Sequence, residues 1–163
     1  MKYLPFLFAF VISFSAWAQK PKMRLLQDSK LKIQVEQQIV EQWSAYSKAF
    51  EYSDYKTIAA HFTYPTTIDL IGSPLVINDA SELMAWYKKG RTSIQQGYKY
   101  SLLEKSRIMW LSKELILLDA TYGRFNADYQ RIHRGRGIYM YKKTPLGWKM
   151  FSITTLPTPV GKK

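Results

Sequence analysis

The sequence predicts a single α+β domain in which three N-terminal helices pack in a strongly curved, mainly antiparallel sheet. The first observation is a helical apolar stripe, with members three or four residues apart. The second is a change to strand-like patterning after Thr66, with turn residues between the strands. Helices followed by a run of strands are typical of the α+β class. The stripe consists of Leu31, Val35, Ile39, Trp43, Tyr46 and Phe50.

Each predicted helix has a local signal. The apolar stripe spans about twenty residues of one amphipathic helix. Asp54 can cap a short second helix that ends before Pro65. The third helix starts at Asp79-Ala80-Ser81-Glu82, which has the spacing of a capping box, and it ends near Gly90.

The predicted strands are separated by turn residues. Gly72-Ser73-Pro74 joins two short strands as a hairpin. After the third helix, four longer strands follow one another as an antiparallel meander. The predicted strands are residues 66–71, 75–77, 98–110, 115–125, 131–142 and 148–155.

Residues 1–18 have the layout of a secretory signal peptide. Lys2 precedes an apolar run, and Ala16-Trp17-Ala18 is a small-x-small cleavage signal. An uncleaved anchor is the alternative, although a membrane span needs about 20 apolar residues. We expect a mature periplasmic or secreted chain from Gln19, with no stable membrane span. Its parts would be a flexible lead-in (19–29), one domain (30–156) and a loose basic tail (157–163).

The composition excludes several kinds of site. The 163 residues include no Cys, so a disulfide framework, a Cys-ligated metal and a Cys nucleophile are all excluded. With two His in the chain, we do not expect a metal site with several His ligands. Glycine-rich nucleotide loops and the serine-hydrolase and zinc-protease motifs are also missing. We therefore expect neither a metal nor a cofactor.

The chain is strongly basic, with 24 Lys and Arg against 12 Asp and Glu and a net charge of +12. Signal cleavage would remove only Lys2 and leave +11. Residues 131–136 are the densest basic segment, and no acid follows Asp128. A basic face favours an anionic small ligand or an envelope polymer, whereas an exported protein is not expected to bind nucleic acid. The alternative is that these charges only keep the protein soluble.

The order of elements resembles the nuclear transport factor 2-like superfamily, which includes ketosteroid isomerases and SnoaL-like cyclases. The resemblance spans about residues 30–156. It implies a cystatin-like, cone-shaped barrel with a pocket, and a homodimer formed through the sheet. It is carried by the helix with Trp43 and Tyr46, by residues 52–62, 67–72 and 79–83, and by the closing segment 139–149.

Matching the ketosteroid isomerase pattern implies three catalytic candidates. Tyr46 takes the place of the oxyanion donor, and Asp69 takes that of the general base. The second acid of that pattern is missing from residues 137–139. His61 could pair with Asp69 as a dyad. Two alternatives stay open: Asp69 can point outward or cap the turn at Gly72, and His61 can bond a carbonyl at a helix end.

The ligand-binding candidates are aromatic or cationic. Aromatic side chains near the pocket could line or cover it, although ordinary core packing is the alternative. Cationic side chains on neighbouring strands could clamp a carboxylate or a phosphate, although an outward-facing basic stripe fits equally well. The candidates are Trp43, Tyr64, Trp86, Arg124, His133 and Arg136.

Three functions fit these observations. The first is an exported small-molecule-binding protein with an aromatic pocket. The second is a cofactor-independent isomerase, cyclase or dehydratase-like enzyme that uses Asp69 as base and Tyr46 as oxyanion donor. The third is an envelope protein-interaction module that uses a basic sheet face.

Overall fold

The computed structural model describes residues 15–70 and 72–157, with side chains from residue 28 onward. It divides into two compact units, one up to Glu36 and one from Gln37. Most of the predicted signal peptide lies outside the described residues, as does the predicted tail after Pro157. None of the helices in the described ranges is long and apolar enough to cross a membrane.

Helix α1 (Ser15–Glu51) is longer than predicted. Residues 19–29, predicted to be a flexible lead-in, belong to this helix. Leu31, predicted to begin the apolar stripe, is 59% exposed. In the second unit the stripe is confirmed, because Ile39 and Trp43 are buried.

Two shorter helices follow, and both begin at the predicted caps. Helix α2 (Tyr55–Ala60) starts after Asp54, whose carboxylate accepts hydrogen bonds from the Thr57 backbone at 3.0 Å and hydroxyl at 2.6 Å. Helix α3 (Ala80–Arg91) starts after Asp79, which accepts from the backbone of Ser81 and Glu82. The Glu82 carboxylate in turn accepts from the Asn78 backbone N–H at 2.7 Å, which completes the helix start.

The six strands form one mixed, unclosed sheet in the order β2-β1-β6-β5-β4-β3. Neighbouring strands are antiparallel except β1 and β6, which are parallel. The α+β class and the four-strand meander are confirmed. The parallel pair, and the start of β1 before Thr66, were not predicted. The strands are β1 (Phe62–Leu70), β2 (Pro74–Ile77), β3 (Tyr100–Trp110), β4 (Leu115–Phe125), β5 (Arg131–Thr144) and β6 (Gly147–Leu156).

The central strands have one apolar face, which we call the inner face. Residues of this face pair across neighbouring strands: Tyr139 of β5 is opposite Leu118 of β4 and Ile153 of β6. The Trp43 ring of α1 packs on this face, 5.9 Å from the ring of Tyr122 and 6.0 Å from that of Tyr139. The core therefore lies between the inner face and the part of α1 that follows Gln37. The buried inner-face residues include Ile116, Leu118, Ala120, Tyr122, Tyr139, Tyr141, Met150 and Ile153.

Candidate functional site

A cavity of about 700 Å³ is bounded by the inner face, α1, α3 and the segment that joins α3 to β3. Its volume is within the range of about 300–1,000 Å³ that is usual for small-molecule sites. Ile68 and Ile153 are among the aliphatic side chains of the wall, which is mainly apolar. The aromatic lining consists of Trp43, Tyr46, Phe50, Trp86, Tyr87, Tyr122, Tyr139 and His133.

Two glycines of β5 let tyrosine rings lie against the strand. A Cβ atom at Gly135 would lie 2.4 Å from Cζ of Tyr122, which is far inside van der Waals contact. At Gly137 the nearest atom would be Cε2 of Tyr139, at 3.1 Å. A side chain at Gly135 would therefore have to push the Tyr122 ring away from the strand.

Tyr46 and Tyr87 form a hydroxyl pair in the cavity wall, with 2.8 Å between their oxygens. Burial raises the pKa of both phenols well above the usual range, so both are protonated at neutral pH. Only one of the two protons can lie between the oxygens. The other is available to a ligand oxygen, so the pair can act as a hydrogen-bond donor.

Arg124 brings a positive charge to the cavity. Its Nη1 donates to Oε1 of Gln95, which is a neutral partner. Its Nε is buried and has no hydrogen-bond partner. The guanidinium carbon lies 5.8 Å from the ring centre of Tyr98 and 5.6 Å from that of Tyr122, so the group is stacked between aromatic side chains.

His133 is opposite Arg124 in the register of β4 and β5, and it also lines the cavity. Burial, together with the charge of Arg124, lowers the pKa of His133 below its ordinary value of 6.5. The imidazole is therefore neutral at pH 7, and it can either accept or donate a hydrogen bond.

Arg136 does not join this pair, which corrects the predicted clamp of two guanidinium groups. It borders the cavity, but its Nε and Nη2 donate to the Asp119 carboxylate at 2.8 and 2.7 Å. Alternate residues of a strand face opposite sides, so Arg136 faces away from the inner face that Gly135 and Gly137 share. The charge of Arg136 is neutralised there.

Asp69, the predicted pocket base, does not line the cavity. Its neighbours Ile68 and Leu70 do. Oδ1 of Asp69 accepts from the backbone N–H groups of Gly72 at 2.9 Å and Ser73 at 3.1 Å. The carboxylate therefore caps the β1–β2 turn, and it is not brought together with Tyr46.

His61 and Tyr64 also lie outside the cavity lining. The His61 ring packs edge-on against that of Tyr46, with 6.4 Å between centres. Burial and the nearby Lys149 charge lower the pKa of His61. The predicted dyad is absent, because no hydrogen bond or ion pair joins His61 to Asp69 among the described residues. The Tyr64 hydroxyl donates to the backbone oxygen of Ala59 at 3.1 Å, which is a structural role.

Trp43 and Trp86 line the cavity as predicted, but the sequence did not single out several other lining residues. Gln95 lies in the segment between α3 and β3, and Tyr122 and Gly135 lie on paired strands. Residue parity from Leu118 to Tyr122 and Arg124 would have indicated that Tyr122 faces inward. No cluster of three or more His, Asp or Glu side chains that could hold a metal occurs in the described ranges.

Comparison with known proteins agrees with this fold. Residues 34–158 match the profile of a family described as NTF2-like protein (DUF6841). No curated protein sequence matches the chain. An NTF2-like protein with a cystatin-like fold from Novosphingobium aromaticivorans superposes with a TM-score of 0.62 at 10% identity. That alignment covers 91% of this chain and 93% of the other.

Two further solved structures carry functional names. A candidate dehydratase of the NTF2-like family from Streptomyces avermitilis has a TM-score of 0.59 at 17% identity. The match covers 78% of this chain and 97% of that one. A candidate aromatic ring hydroxylase from Novosphingobium aromaticivorans has a TM-score of 0.61 at 18% identity, with 77% and 92% covered. At these identities the likeness is one of fold. The profile match, supported by that fold, shows that the chain belongs to the NTF2-like family DUF6841.

Proposed function

We propose that this protein is an exported binding protein for a small, planar, largely apolar molecule held in the aromatic cavity. The observation that carries the proposal is the cavity itself, about 700 Å³ and mainly apolar, with aromatic side chains prominent in its wall. Aromatic side chains around an empty space lack dispersion contacts on one side. A planar ligand that enters the cavity supplies those contacts. Export rests on the pattern of residues 1–18.

The walls and the hydroxyl pair have different tasks in this proposal. Trp43 and Trp86 supply ring surface, which excludes water and selects for planar apolar ligands. The proton of the Tyr46–Tyr87 pair that is not shared between the two oxygens orients an acceptor oxygen of the ligand. Orientation therefore depends on few polar groups, as in most small-molecule sites.

Binding can be tested with N-phenyl-1-naphthylamine, a neutral aromatic fluorophore. We expect saturable fluorescence enhancement with one site per chain. Trp86→Ala should weaken binding roughly three- to tenfold, because it removes a ring contact. Tyr129→Ala is the matched control, since Tyr129 is 81% exposed and does not line the cavity. Equal affinities for the wild type and both variants would contradict the proposal.

Export can be tested by expressing the whole chain in a bacterial host. Intact mass should show a periplasmic protein that begins at Gln19. A full-length chain that remains in the cytoplasm would contradict this part of the proposal.

Proton-transfer catalysis is a second candidate, favoured by the buried Tyr46–Tyr87 pair. Such a pair can stabilise an oxyanion, and His133 is a neutral base in the same cavity. One solved neighbour is named as a candidate dehydratase. With 2-acetonaphthone as probe, proton NMR should show deuterium exchange of the methyl group, and His133→Gln should abolish it. Exchange at the buffer rate in the wild type would leave binding as the function.

A further inference from the structure

We propose that the ligand is an aromatic carboxylate, and that Arg124 binds its anionic group in place of Gln95. This inference rests on the proposed binding function of the cavity. It adds the chemical class of the ligand and the residue that recognises its anionic group.

The first step is the charge of Arg124. Other arginines of the same strands have carboxylate partners: Arg131 and Arg134 contact Glu104 at 2.8 and 3.1 Å, and Arg136 contacts Asp119 at 2.7 Å. Within the described ranges Arg124 forms no ion pair, although it lines the cavity. A partly buried cation without a counter-ion is costly, and a bound anion would offset that cost.

The second step is the way the guanidinium is held. The rings of Tyr98 and Tyr122 support it, and its Nε is buried without an acceptor. Arg91 lies on the Tyr98 ring as well, with its guanidinium carbon 4.8 Å from the ring centre. Two cations on one ring make the potential around Arg124 more positive, and aromatic support fixes the plane of the Arg124 fork.

The third step concerns Gln95, whose Oε1 accepts a hydrogen bond from Nη1 of Arg124. An amide oxygen is the neutral equivalent of a carboxylate oxygen, because both accept hydrogen bonds in the same plane. Gln95 itself lines the cavity, on the segment between α3 and β3. A ligand carboxylate can therefore take its place and form a charge-assisted bond, which is about twice as strong as a neutral one.

The geometry of Arg124 favours a planar carboxylate. Opposite Arg124 stands His133, a neutral imidazole that adds no positive charge. Two further cations line the cavity: Arg136, which is paired with Asp119, and Lys89 on helix α3. The flat fork of the Arg124 guanidinium matches one planar carboxylate with two oxygens.

The test compares 2-naphthoate with 2-naphthamide, which has the same shape and no charge. Each competes against N-phenyl-1-naphthylamine on the wild-type protein. We expect 2-naphthoate to bind roughly ten- to a hundredfold more tightly, as one charge-assisted contact predicts. Arg124→Gln should remove the preference, because the lost charge weakens 2-naphthoate more than 2-naphthamide. Arg124→Lys should keep part of it, because the charge stays and the fork is lost.

Arg131→Gln is the matched control, because it removes the same charge from an exposed side chain. It should keep the full preference. Equal binding of both probes would overturn the carboxylate inference and leave the binding proposal standing, whereas failure of both to displace the fluorophore would defeat both. A preference that survives Arg124→Gln, or displacement of 2-naphthoate by equimolar inorganic phosphate, would also overturn the inference. Folding of Arg124→Gln is checked by thermal unfolding, and Arg124→Lys serves if it does not fold.

Discussion

At the scale of single residues, Arg124 places a charge in the cavity wall, and we expect this charge to lower the free energy of unfolding. Its guanidinium is stacked on Tyr98 and Tyr122 but has no carboxylate partner within the described ranges. Replacing an uncompensated charge by an apolar side chain of similar length removes its desolvation cost. Function and stability should therefore oppose each other at this position.

We expect Arg124→Met to raise the free energy of unfolding by about 1 kcal/mol. Arg136→Met is the contrasting variant, since it leaves the Asp119 carboxylate without its partner, and it should be neutral or lower stability by up to about 1 kcal/mol. Urea unfolding monitored by circular dichroism measures both. If Arg124→Met were the less stable of the two, the charge would not be a cost to the fold.

The two histidines should make stability depend on pH between about 7 and 5. Burial lowers the pKa of both His61 and His133 from 6.5, so the folded state binds fewer protons than the unfolded state in this range. Stability is therefore lost as the pH falls from above 6.5 through the lowered folded-state values. The carboxyl groups with lowered pKa, those of Asp54, Asp79 and Asp119, act at lower pH, below their ordinary 3.8.

Urea unfolding at pH 7, 6 and 5 measures this slope. The double variant His61→Gln with His133→Gln should flatten it. An unchanged slope in the double variant would assign the pH dependence to other groups.

Gly135 should be intolerant of a side chain. Its Cβ would collide with the Tyr122 ring, so Gly135→Ala should cost about 1–3 kcal/mol and weaken binding of the naphthyl probes by moving that ring. Gly90→Ala in helix α3 is the control, because no atom lies within 4 Å of its Cβ position. Gly90→Ala should raise the free energy of unfolding by at most about 1 kcal/mol. Equal effects at both glycines, measured by urea unfolding, would contradict the collision.

At the scale of elements, the β1–β2 turn explains what Asp69 does. Its carboxylate accepts two backbone N–H groups of the turn, and Ile68 on the same strand faces the core. The ends of the hairpin are therefore stabilised by a side chain that takes no part in the cavity.

Asp69→Ala should lower the free energy of unfolding by about 1 kcal/mol through the lost turn hydrogen bonds. Probe binding in the cavity should stay unchanged. Urea unfolding and fluorophore titration on the same sample separate the two effects. If Asp69→Ala abolished probe binding without changing the free energy of unfolding, Asp69 would have a direct role in the cavity.

At the scale of the whole molecule, the homodimer through the sheet stays a prediction. The face opposite the inner face carries half-exposed apolar side chains of neighbouring strands, among them Leu117, Met140 and Phe151. We expect native mass spectrometry to show a dimer that Met140→Glu converts to monomer, because a charge would be buried in the interface. Lys88→Glu on exposed helix surface is the control. A wild-type monomer at micromolar concentration would refute the prediction.

The sequence by itself determined the elements and their order. Caps at Asp54 and Asp79, the stripe of Ile39 and Trp43, and the turns between β3 and β6 are short-range signals. Each depends on neighbours within one or two turns of chain, so it survives without tertiary information. The same short-range pattern carried the family resemblance, which the profile match confirmed.

Only the tertiary structure decided which side chains share the cavity. Orientation on a strand alternates with every residue, so an error of one position in the phase moves a side chain to the other face. β1 begins at Phe62, Asp69 faces the turn rather than Tyr46, and Arg124 lines the cavity while Arg136 pairs with Asp119. The Tyr46–Tyr87 pair joins residues on two helices, and the parallel pairing of β1 with β6 joins distant strands. Contacts between such distant segments arise from packing, which no local pattern encodes.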